Sequence, residues 1–123
     1  MISDARSGGL LRLMGRYATP YEVRPFVTAD PPPPPGTTGL FHTAIRYPDR
    51  RTLADAVRRV LDAGIPLTGA SDHGVSEAIY LRDPDQNGIE LYRDRPREEW
   101  PREDGGVAMI SVPLDLQSLL AEA

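Results

Sequence analysis

From Gly39 to Tyr92 the spacing of apolar and polar positions changes several times, and each change predicts a new element. Residues 39–47, GLFHTAIRY, mix apolar and β-prone types in a run too short for a helix and bounded by Gly39 and Pro48, which predicts a strand. Leu53, Val57, Val60 and Leu61 then recur at helical spacing with charges between them. Thr52 offers a side-chain acceptor at the start with Asp55 three residues on, and Gly64 supplies a left-handed stop. Three short apolar runs follow: Ile65 to Thr68, Ala78 to Leu81 and Ile89 to Tyr92. The last two flank Asp83-Pro84-Asp85-Gln86-Asn87-Gly88, whose Asn-Gly pair can hold positive φ without strain, so residues 76–92 read as a hairpin. Ser71 to Ser76 reads as a polar loop. The predicted order is β-α-β-β-β, an α+β arrangement.

The flanks are less regular. Met1 to Gly8 is polar, while Gly9–Met14 and Tyr21–Thr28 read as two strands around a turn at Gly15 to Pro20, with Pro25 marking an edge or a bulge. Pro31 to Pro35 predicts extended polyproline II, about 3.1 Å per residue, acting as a stiff spacer. A ligand for a proline-binding domain is the other reading of that run. Beyond Tyr92 the string Arg93 to Trp100 is charged and reads as a connection, with Trp100 folding back onto the sheet or a partner surface. Val107 to Val112 predicts another short strand. Leu114 to Ala121 predicts a helix with Leu116, Leu119 and Leu120 on one face.

Bulk properties narrow the function classes. A chain of 123 residues suits one compact domain. A net charge of −4 with scattered arginines, and no basic face interleaved with aromatics, argues against a nucleic-acid partner. There is no cysteine, which excludes disulfides and thiolate chemistry. No leader-like apolar core and no run near the roughly 20 apolar residues of a membrane span is found, so a soluble cytoplasmic protein without a membrane partner is expected.

GLFHTAI, SDHGVSEAIYL and DPDQNGIELYRDRP, in this order around a helix, resemble the vicinal oxygen chelate superfamily of glyoxalases, bleomycin-resistance proteins and extradiol dioxygenases. The likeness is nearest to the N-terminal half of bacterial catechol 2,3-dioxygenase-like proteins and runs from about residue 9 to the end. It implies a βαβββ module of that type at residues 39–95, two strands of an incomplete first module at 1–30, a proline-rich linker at 31–38 and a C-terminal extension at 96–123. Half a module leaves an open sheet edge and an apolar face, which predicts a homodimer.

The resemblance also implies a site. In that superfamily the first and last strands of a module each contribute a metal ligand, and His42 and Glu90 match those positions. An imidazole and a carboxylate would leave Fe(II), Mn(II) or Zn(II) open to a bidentate substrate. The family's other histidine belongs to a strand missing here, so a symmetric dimer would combine two copies of His42 and Glu90. On the residues alone, His42 beside Phe41 is also read as a core or interface histidine, and Glu90 as an exposed strand residue. His73 is read either as a lid or substrate-contacting residue, a group supporting the site from behind or a general base, or as a loop-fixing one. Tyr92, on the face of Glu90, is a candidate substrate contact. Asp83, Asp85 and Asn87 do not complete a calcium loop, since no Gly falls at the sixth position and no Glu at the twelfth. Two function classes follow: a metal-dependent enzyme of the dioxygenase or glyoxalase type acting on a small aromatic or vicinal-oxygen compound, and a metal-free protein that binds or sequesters such a compound.

Overall fold

A computed structural model describes residues 34–123. The strands expected at Gly9–Met14 and Tyr21–Thr28, and most of the proline spacer, lie outside the described residues. The main elements are β1 (Thr43–Arg46), α1 (Arg50–Asp62), β2 (Leu67–Asp72), β3 (Ser76–Arg82) and β4 (Gly88–Asp94). A 3₁₀ turn (Arg97–Glu99), the two-residue strands β5 (Arg102–Glu103), β6 (Gly106–Val107) and β7 (Val112–Pro113), and the short helix α2 (Leu116–Leu120) follow. The predicted β-α-β-β-β order is observed. One five-stranded sheet runs β1-β4-β3-β2-β7, in which β1 and β4 are parallel and the other pairs antiparallel.

Alternation in the hairpin decides which side of the sheet is covered. Glu77, Ile79 and Leu81 on β3 and Ile89, Leu91 and Arg93 on β4 are buried beneath α1. Tyr80, Glu90 and Tyr92, on the alternate positions, point to the other face. From α1 the core takes Leu53, Ala54, Ala56, Val57 and Val60, and full burial of each Val or Leu is worth roughly 1.5–3 kcal/mol. Leu61, expected on that stripe, is 38% exposed. Helix α2 adds Leu119, fully buried, and packs against α1.

Several boundaries differ from expectation. The cap of α1 is Asp49, not Thr52: the Asp49 carboxylate accepts from Thr52 N–H at 2.8 Å, and Thr52 Oγ1 accepts back from Asp49 N–H at 3.4 Å. The helix therefore begins three residues earlier, because Asp49 occupies the cap and Thr52 the N3 position of the reciprocal box. Gly64 does hold positive φ (+69°) just past the end. The expected polar loop Ser71–Ser76 shrinks to His73–Val75, since β2 and β3 pair through Asp72↔Glu77 and Ser71↔Ala78. Polar side chains there do not prevent ladder formation, which uses only backbone groups. In the hairpin turn the positive φ falls on Gln86 (+69°) rather than on the Asn-Gly pair. Asn87 instead bonds Asp83 through both its backbone N–H, at 2.8 Å, and its side-chain amide, at 2.9 Å. The strand expected over Val107–Val112 is only paired at its two ends, and the helix expected over Leu114–Ala121 is shorter.

A buried charge cluster, not anticipated from the sequence, ties the covered side together. Glu77 is 2% exposed and meets Arg93 Nε at 2.8 Å, Arg50 Nε at 3.1 Å and Arg95 Nη2 at 3.3 Å. Arg50 continues to Ser118 O at 3.2 Å and to Glu122, and Arg58 donates to Leu120 O at 2.6 Å, so helix α2 has its last carbonyls satisfied by cations from α1.

Candidate functional site

The sheet face opposite α1, which no described helix covers, gathers most of the residues singled out from the sequence. His42 sits one residue before β1 rather than within it, and β1 pairs with β4 through Ala44↔Glu90. That register sets His42 beside Gly88, where the chains approach closely: a Cβ on Gly88 would lie 2.6 Å from Phe41 O and 3.0 Å from His42 Cβ. With the backbones this near, the imidazole reaches diagonally to Glu90, and His42 Nε2 lies 2.8 Å from Glu90 Oε2. The two side chains retain 27% and 15% exposure, so the pair is neither core nor fully solvated. Glu90 is thus no free surface carboxylate.

Tyr80 stands behind this pair, and sequence reasoning passed over it. It faces Glu90 directly across the hairpin, and its hydroxyl is 3.5 Å from Glu90 Oε1 and 3.1 Å from His73 Nε2. The signal was available in principle: a hairpin turning on Asp83–Gly88 sets residue 80 opposite residue 90. Partial burial, followed by the nearby Glu90 carboxylate, pushes the Tyr80 hydroxyl above the usual phenol range, so it stays protonated.

His73 is a loop residue with two ring contacts. Nδ1 lies 3.2 Å from Ile110 O, and Nε2 faces Tyr80. Asp72 Oδ1 accepts from Gly74 N–H at 2.8 Å, which holds the loop, as short Asx turns do. Asp72 thus fixes the loop, and His73 links it to Ile110 and Tyr80. Tyr92 is on β4 two residues beyond Glu90 on the same face, opposite Ala78 and Arg46. No contact ties it to the His42–Glu90 pair. Trp100 does fold back, donating its Nε1–H to Arg95 O at 2.8 Å, with the Arg97 guanidinium 5.2 Å from its ring centre.

His42 and Glu90 could serve as two ligands of one divalent ion. Metal–nitrogen and metal–oxygen bonds of about 2.0–2.2 Å place adjacent donors about 3 Å apart, close to the separation seen. Among the described residues no third His, Cys, Asp or Glu joins them in a ligand-like group. No described helix is long and apolar enough to cross a membrane.

Comparison with known proteins gives the family of the chain. The profile of the Glyoxalase/Bleomycin resistance protein/Dioxygenase superfamily matches residues 5–91. The chain is 49% identical over 92 residues to a catechol-2,3-dioxygenase of Bacillus subtilis, covering 74% of this chain and 32% of that protein. It is 42% identical over 60 residues to biphenyl-2,3-diol 1,2-dioxygenase 3 of Rhodococcus globerulus, covering 49% and 32%. Among solved structures, a glyoxalase/dioxygenase from Nostoc punctiforme aligns with a TM-score of 0.46 at 25% identity, over 55% of this chain and 45% of that one. The matched region thus spans about a third of the length of the curated relatives. With a βαβββ sheet in place and the profile spanning well over half of its residues, the chain belongs to the glyoxalase/bleomycin resistance protein/dioxygenase superfamily.

Proposed function

We propose that this chain is a cytoplasmic, metal-assisted protein of the dioxygenase type, whose open sheet face takes a small aromatic molecule carrying two adjacent oxygens. One observation carries the reading: His42 Nε2 and Glu90 Oε2 meet at 2.8 Å on the open face, with Tyr80 and His73 behind them. The substrate class is suggested by the relatives, whose names give a catechol and a biphenyl-2,3-diol, both aromatic vicinal diols.

In this proposal His42 and Glu90 hold a divalent ion, Fe(II) or Mn(II) with Zn(II) as the other option. When bound, the ion supplies charge stabilisation for two neighbouring substrate oxygens. The protein's part is to bind and orient. Tyr80 presents its phenolic oxygen as an acceptor to a substrate hydroxyl, His73 holds Tyr80 from behind, and Tyr92 offers a ring face beside the same strand. Two protein ligands fall short of a 2-His-1-carboxylate set. We assign the remainder to a second copy of the chain, so that two His42 and two Glu90 share the ion.

Elemental emission on the purified protein should find about one divalent ion per site, and His42→Ala should remove it. Sedimentation at micromolar concentration checks the pairing, and a stable monomer defeats the shared site. The second reading is a metal-free protein that binds or sequesters an aromatic compound on the same face. That no group of three or more His, Cys, Asp or Glu side chains forms among the described residues favours it. A preparation without metal that still gives a saturable change in Trp100 fluorescence with a catechol would establish that alternative.

A further inference from the structure

The segment from Pro101 to Pro113 leaves the sheet after β4, makes the small β5–β6 ribbon and returns to pair with β2 through β7. On its way back it meets the His73 loop. Ile110 N–H donates to His73 O at 3.3 Å, and Ala108 N–H donates to Pro101 O at 2.8 Å, which stiffens the approach. His73 N–H donates to Ser76 O at 2.9 Å. Gly74, with φ +74°, lies so close beneath this segment that a Cβ would be 2.7 Å from Pro101 Cγ and 3.1 Å from Ile110 Cγ1. The His73 ring is left between two oxygens, Ile110 O at 3.2 Å from Nδ1 and the Tyr80 hydroxyl at 3.1 Å from Nε2.

These two contacts are chemically unequal. A backbone carbonyl only accepts, so Nδ1 must carry the proton. A neutral imidazole has one N–H, which leaves Nε2 as an acceptor, so the Tyr80 hydroxyl must donate to it. That hydroxyl has a single proton. Spent on His73, it does not reach Glu90 Oε1, and the longer separation of 3.5 Å on that side agrees.

We propose that the Ile110 carbonyl is a positioning group of the site, which fixes His73 as the Nδ1–H tautomer and thereby directs the Tyr80 proton toward His73 and away from Glu90. The assignment rests on reading the open face as the functional site. Its consequence is that Glu90 Oε1 keeps its lone pairs for a cation or a substrate hydroxyl. Without the carbonyl, His73 would take the Nε2–H form that imidazole side chains favour in water. Tyr80 would then accept from His73 and donate to Glu90, capping the carboxylate. The C-terminal extension thus sets the direction of a hydrogen-bond chain that ends at the proposed ligand.

Long-range ¹H–¹⁵N correlation spectra of uniformly labelled protein test this, recorded at about pH 9, above the range in which imidazoles ordinarily titrate. The chain has only 2 histidines, and His42→Gln assigns them by difference, with His73→Gln as the second route should the first variant not fold. The bare nitrogen resonates far downfield of the protonated one, so the pattern reads the tautomer directly. The expected result is Nδ1–H for His73 in the wild type and also in Tyr80→Phe, which keeps the carbonyl and removes the hydroxyl. Nε2–H in the wild type overturns the proposal. So does a switch to Nε2–H in Tyr80→Phe, which would make the tyrosine the determinant. A merely structural contact would not select one tautomer over the other. Because the spectrum reads a proton on His73, its outcome is independent of whether His42 and Glu90 retain an ion.

Discussion

At the scale of single residues, Gly88 decides whether the site exists. Its backbone has no need of a positive φ, so conformational freedom is not its role; the need is space. Any side chain would press on the Phe41 carbonyl and the His42 Cβ, and neither belongs to a flexible side-chain end that can swing away. Gly88→Ala should therefore push β1 from β4 at the point where His42 approaches Glu90. The expected cost is about 1–3 kcal/mol, the range for overpacking, read as a lower denaturation midpoint. The hydroxyl of Tyr80 makes the complementary point. A residue ordinarily read as a half-buried strand aromatic becomes a polar junction because the His73 ring and the Glu90 carboxylate both lie beside its hydroxyl.

At the scale of elements, α1 depends on its first turn. The Asp49 carboxylate is held below its usual range, first by the Thr52 backbone N–H and then by the Thr52 hydroxyl, with Arg51 adding a smaller pull. A depressed folded value means that the ionised form favours the helix. The contribution is therefore present above the unfolded carboxylate value near pH 4 and is lost as pH falls through the lower folded one. Asp49→Ala should cost about 1 kcal/mol at neutral pH. Against wild type, the difference should shrink on acidification below about pH 4, measured by urea denaturation across that range. The misplaced cap in the sequence reading has the same origin: Asp49 and Thr52 are both good caps, and only the reciprocal bonding shows which one lies outside the helix.

At the scale of the whole molecule, the covered side is held by an apolar layer and by one ionised knot. Glu77 is surrounded by Arg50 from α1, Arg93 from β4 and Arg95 beyond it, so three separate parts of the chain converge on a carboxylate nearly free of solvent. Removing it leaves the buried Arg93 without a carboxylate partner, while Arg95 keeps Asp72 and Arg50 keeps Glu122. Glu77→Ala should destabilise the fold by about 3–5 kcal/mol, the usual penalty for breaking a buried pair from one side, in a guanidinium chloride titration followed by circular dichroism. Helix α2 should loosen with it, because Arg50 also bonds Ser118 and Glu122.

The order of elements, the turn at Asp83–Gly88 and the stop at Gly64 were legible along the chain because each depends on neighbours within a few residues: periodicity, turn chemistry and a left-handed glycine. His42 and Glu90 were legible as candidates through the family resemblance, and the hairpin arithmetic that pairs Tyr80 with Glu90 was equally local. What only the tertiary structure decided are the distances between segments far apart in sequence. The parallel register of β1 on β4 brings His42 to Glu90. The return of residue 110 past the loop reaches His73, and the three arginines close on Glu77. No period in the sequence encodes those meetings, because they arise where the sheet and its C-terminal extension pack together.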